Sequence, residues 1–91
     1  MKSTRQEVYA AIDSERNYQD LKWEDFDDSN NHPSDWILYI DEHISRAKKA
    51  IYNSHNMATF ANEIRKIAAL SVACMENHGV LYRNNPNELH K

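Results

Sequence analysis

The sequence predicts an all-α protein, a three-helix antiparallel bundle built as one domain. Three observations carry that expectation. Apolar residues recur at three- and four-residue intervals through three long segments, the period of a helix. Glycine occurs once and proline twice in 91 residues, too few for the tight turns a hairpin-rich β fold consumes. The short link Ser54–Asn56 makes the second and third segments antiparallel neighbours.

The first helix is expected from Ser3 to about Trp23. Thr4 and Glu7 have the spacing of a capping box. Val8, Ala11 and Ile12 begin an apolar stripe, and its continuation is Glu15, Gln19 and Trp23, with Arg16 on the flank. The stripe thus turns polar halfway along while keeping its direction. Either the polar half faces something that needs polar groups, or the helix runs past its neighbours into water.

Residues 24–31, EDFDDSNN, read as an acidic loop. Asp25, Asp27 and Asp28 invite comparison with a calcium loop, but the central Gly and the Glu at position twelve of an EF-hand are missing.

The second helix is expected over 33–53, with Pro33 in its first turn and Asn31 or His32 as cap. Trp36, Ile40, Ile44, Ala47 and Ile51 form its core stripe, and His43 lies inside it. Asp41, Glu42, Arg46, Lys48 and Lys49 read as a solvated, ion-paired face.

The third helix is expected over 57–79 and is the most apolar. Phe60, Ile64, Ile67, Ser71 and Cys74 share one face, and Glu63 projects within the apolar arc between Leu70 and Cys74. Asn62, Arg65, Lys66 and Glu76 take the opposite side, and Gly79 supplies a left-handed stop. Apolar residues cover so much of the circumference that neighbours on several sides are expected. Residues 80–91 read as an extended tail unless Leu81 and Tyr82 dock.

Composition excludes several classes. A net charge of −3 argues against DNA or RNA as a partner, because phosphate neutralisation needs a basic surface. No apolar run can span a membrane and no secretory segment opens the chain, so a soluble protein is expected. One cysteine allows no intrachain disulfide, and Cys74 reads as a small packing residue. Cys74 and His78 are four apart, but no third group orients them, and no Walker A, HExxH or CxxC motif occurs.

Each helix therefore directs polar groups along its inner stripe: Glu15 and Gln19, then His43, then Glu63. Buried carboxylates need partners or water. They can pair with one another, as His43 with Glu63; they can line a subunit interface; or they can line a ligand pocket. Candidate ligand-binding residues are Glu15, Arg16, Gln19, Trp23, Trp36, Tyr39, His43, Glu63 and Lys66. Aromatic faces stack nucleobases and Arg and Lys meet phosphates, so a nucleotide-type molecule suits this set.

The segments AIDSERNYQDLKW, HPSDWILYIDEHISRAKKA and NEIRKIAALSVACMENHG together resemble a group of small phage-encoded helical proteins. More distantly, in helix order and inward carboxylates, the chain resembles the MazG-type nucleoside triphosphate pyrophosphohydrolases. That resemblance implies a homo-oligomer, nucleotide binding between helices, and Mg²⁺ held by ExxE and ExxD motifs, with Glu63 matching the first acid of ExxD; on the alternative reading as an enzyme, Glu63, Glu15 and Asp41 or Glu42 hold the metal. The motifs are incomplete here. Lys66 stands where ExxD has its Asp, neither Asp41 nor Glu42 begins an ExxE, and the only literal ExxD is Glu24–Asp27. Lys66 brings positive charge toward a phosphate instead. The expected function is capture of a nucleotide or nucleotide-derived signal without turnover and without a required cofactor. In a phage setting this is a sponge acting in the cytoplasm of an infected bacterium. The alternatives are a Mg²⁺-dependent pyrophosphohydrolase and a helical inhibitor of a host protein.

Overall fold

The computed structural model describes residues 2–24 and 31–84. Among them are three helices, α1 (Arg5–Lys22), α2 (Pro33–Tyr52) and α3 (Met57–His78), and no strand. The acidic-loop residues 25–30, which include Asp25, Asp27 and Asp28, and the tail beyond residue 84 lie outside the described residues.

Local chemistry explains the ends. Thr4 Oγ1 accepts the Glu7 N–H and the Glu7 carboxylate accepts the Thr4 N–H, a complete capping box. The Asp35 carboxylate accepts the N–H of His32, the α2 cap, and Pro33 occupies the first turn where no N–H is needed. Asn56 Oδ1 accepts the Thr59 N–H and starts α3. The turn before it holds His55 at φ 50°, a left-handed value that His tolerates better than most residues. Gly79 ends α3 at φ 96°, ψ 166°, an extended positive-φ geometry open essentially to glycine alone, and so not the left-handed cap expected. Leu81 and Tyr82 do not dock: both are exposed.

α3 is the middle element. α1 and α2 each pack on it, and they touch one another only marginally. The bundle is therefore open, with a wedge between α1 and α2 over the surface of α3. The core sits between α2 and α3, where Trp36, Leu70 and Ala73 are buried and Trp23, Ile40 and Cys74 pack around them. Trp36 is 0 % exposed, and its indole N–H donates to His78 Nε2 at 3.2 Å. A buried indole requires such an acceptor.

This arrangement shifts the inner faces from those expected. The buried positions of α3 are Glu63, Ala69, Leu70 and Ala73, whereas Ile64 is 45 % exposed. With helices on two sides, the arc that faces them is displaced from the one with the greatest hydrophobicity. Arg65 and Glu76, expected opposite the apolar arc, share a face with Ala69 and Ala73 and reach across to α1. On α2, Ala50 rather than Ile44 is buried. On α1 Glu15 and Gln19 face inward as expected, joined by Arg16 from the flank, while the apolar start of the stripe is exposed at Val8 and Ala11. The polar half of the stripe is the half that packs.

Candidate functional site

Among the described residues the buried ionisable groups, Glu15, Arg16 and Glu63, are all paired, as their desolvation demands. Glu63 Oε2 lies 2.5 Å from His43 Nδ1, and Lys66 Nζ approaches Glu63 Oε1 at 3.9 Å. Glu15 Oε1 accepts from Arg65 Nε at 2.7 Å, and Arg65 also donates to Asn62. The Arg16 guanidinium donates to Glu76, Asp20 and Gln19. Burial alone would lower the Arg16 pKa, but its hydrogen bonds and charge contacts with Glu76 and Asp20 outweigh this and leave it raised. Among the described residues no buried side-chain nitrogen or oxygen lacks a hydrogen-bond partner.

Two clefts open along the wedge. The first, about 430 Å³, is mostly apolar, walled by Trp23, Trp36, Leu38, Tyr39 and Leu70, with Asn31, Glu42 and His43 supplying polar atoms. Trp36 and Tyr39 meet edge to face in its wall, ring centroids 5.9 Å apart. Tyr39 Oη donates to Asn31 Oδ1. The second, about 450 Å³, is polar and is lined by Lys22, Arg46, Arg65, Lys66 and Glu15, with Arg65 paired to Glu15, Arg46 to Glu42 and Lys66 to Glu63. Tyr18, Gln19, Trp23 and His43 complete it. Trp23 and His43 belong to both clefts, so the two adjoin.

Of the residues expected from sequence, Trp23, Trp36, Tyr39 and His43 line the apolar cleft. Glu15, Gln19, Trp23, His43 and Lys66 line the polar one. Glu63 takes part through His43 and Lys66. Arg16 lines neither cleft: its guanidinium turns to Glu76, near the end of α3. Sequence reasoning missed Tyr18, Lys22, Arg46 and Arg65. Arg46 follows His43 by one turn and Lys22 precedes Trp23, so helical spacing held the signal. Read from sequence, Arg46 falls on a solvated face and Arg65 opposite the apolar arc, and Tyr18 and Lys22 carry no role.

The clefts offer little to a divalent cation. Glu15 and Glu63, the carboxylates that the enzyme reading nominates, each face a cation already, and among the described residues no three His, Cys, Asp or Glu side chains converge. This donor set does not fit two-metal chemistry, which needs several uncommitted carboxylates around the ions. No described helix is long and apolar enough to cross a membrane. Compared with known proteins, the chain matches no family model, no curated protein and no solved structure.

Proposed function

We propose that this protein captures a nucleotide or nucleotide-derived signal in the wedge and releases it unchanged. The observation that carries the reading is the contact of two clefts of opposite chemistry through Trp23 and His43. A flat ring enters the apolar cleft and stacks on aromatic faces. The attached phosphate meets Lys22, Arg46, Arg65 and Lys66 in the polar cleft. The commitment of Glu15 and Glu63 to cations favours binding over Mg²⁺-dependent pyrophosphate release. In a phage this amounts to a sponge that withholds a messenger from its host effector.

Calorimetry against mono-, di- and cyclic nucleotides is the test. At least one is expected to bind and to be recovered intact after heat denaturation. Silence across the panel overturns the reading. Pyrophosphate release that requires Mg²⁺ and disappears in Glu63→Gln replaces it with the enzyme.

The same proposal includes self-association. Val8, Ile44 and Ile64 are exposed apolar residues of all three helices. A shallow groove of about 150 Å³ between α2 and α3 is lined by Ile44, Ile51, Phe60, Ile64 and Ile67. Small domains that leave such faces open commonly cover them with copies of themselves. Light scattering is expected to give a multiple of the chain mass. A monomer at micromolar concentration instead leaves these faces to a protein partner.

A further inference from the structure

The apolar cleft has few polar atoms, and their hydrogen-bonding capacity is lopsided. His43 Nδ1 lies 2.5 Å from Oε2 of the buried Glu63 carboxylate. A carboxylate only accepts, so Nδ1 carries the proton, and in the neutral ring Nε2 is then a bare acceptor. Nε2 has no partner among the described residues, and no buried side-chain nitrogen or oxygen there lacks one, so Nε2 is accessible. Glu42, the neighbouring residue on α2, brings a second acceptor to the same cleft: Oε1 receives Arg46 at 3.3 Å, and Oε2 has no partner among the described residues. Asn31 brings the donor. Its Oδ1 accepts from Tyr39 Oη at 3.1 Å, which leaves its side-chain amide N–H groups to donate.

We propose that the apolar cleft selects guanine over the other nucleobases, with His43 Nε2 and Glu42 accepting the ring N–H and 2-amino protons and the Asn31 amide donating to the 6-oxo group. The inference rests on the nucleotide reading above and names the base. The pairing edges of the bases decide it. Guanine presents two adjacent donors beside one acceptor. Adenine and cytosine present one amino donor beside a bare ring nitrogen, and uracil one ring N–H between two carbonyls. Facing two acceptors, guanine alone satisfies both. Every other base sets a lone pair against His43 Nε2 or Glu42, and a polar group that loses water without gaining a partner is costly. The bond to the Glu42 carboxylate is charge-assisted and therefore the stronger of the two. Stacking on Trp23 and Tyr39 in the cleft wall adds affinity for any base and so no choice between them.

Calorimetry on the full chain tests this by pairing guanine and adenine members of each phosphate form: GMP with AMP, GDP with ADP, and cyclic di-GMP with cyclic di-AMP. In whichever form binds, the guanine member is expected to be tighter by about tenfold to hundredfold. The hypoxanthine counterpart of that form, which lacks only the 2-amino group, is expected to fall between the two. Glu42→Gln changes an exposed side chain and puts an amide donor where one acceptor stood. It also releases Arg46, which alters affinity for every phosphate alike, so the readout is the guanine-to-adenine ratio, expected to fall by about tenfold. Asn31→Asp keeps the acceptor for Tyr39 and removes the donor to the 6-oxo group, and is expected to lower the same ratio. Adenine bound as tightly as guanine overturns the inference, as does a ratio that neither substitution moves. Both results leave nucleotide capture standing, whereas silence of every nucleotide removes capture and the choice of base together.

Discussion

Trp36→Ala is expected to lower stability by about 3–5 kcal/mol, the range for truncating a fully buried aromatic. Among the described residues Trp36 is the largest wholly buried side chain, and it packs in a buried cluster with Leu70 and Ala73 that joins α2 to α3. The substitution opens a cavity between α2 and α3, at whose edge Trp23 packs. It also strips His78 Nε2 of the indole donor at 3.2 Å. A domain of this size has a total stability of about 5–15 kcal/mol, so this one side chain supports a large share. Urea denaturation followed by circular dichroism should show a midpoint far below the parent's, or no cooperative transition. Trp23→Ala is the control, since Trp23 is only partly buried at the edge of that cluster. It should unfold within about 2 kcal/mol of the parent while losing the wall common to both clefts, and with it nucleotide affinity. A Trp36→Ala protein as stable as the Trp23→Ala protein would mean that the core lies elsewhere.

Arg65→Ala is expected to have the second largest effect, about 2–4 kcal/mol, somewhat below the range for breaking a wholly buried ion pair because Arg65 keeps part of its surface in water. The cause is what remains behind. Glu15 is 7 % exposed, and its hydrogen-bonded partner at 2.7 Å would be gone. Arg65 also lines the polar cleft, so affinity for a phosphate-bearing ligand should fall as well. The two losses separate in a double-mutant cycle. Glu15→Leu/Arg65→Met replaces the pair by apolar groups and is expected to recover most of the stability without recovering the affinity. If Arg65→Ala melts with the parent, Glu15 is hydrated and the pair contributes nothing to the α1–α3 contact.

The paired acids also explain why sequence reading went further at some places than at others. Helical period, the Thr4–Glu7 capping box, Pro33 and Gly79 are local, and local rules place the three helices to within two residues at either end. The His43–Glu63 pair was legible for a related reason: two polar groups inside apolar stripes of adjacent antiparallel helices have few partners but each other. Arg65 and Arg46 were not legible. A long cationic side chain one turn from an inner stripe reads as solvated until a neighbouring helix is known to pass there.

What the sequence by itself determined is the all-α class, the helix limits and the fact that acids and an imidazole lie on inner faces, because periodicity and capping act over a few residues. Tertiary structure alone decided which helix stands in the middle, that α1 packs by Glu15, Arg16 and Gln19 while Val8 stays exposed, and that two clefts meet at Trp23 and His43. Those outcomes depend on the direction in which one helix crosses another. Crossing direction is set by the combined shape of both surfaces, with small Ala69 and Ala73 on the side of α3 that turns to α1 and arginines long enough to reach across. No single segment of the chain encodes that sum.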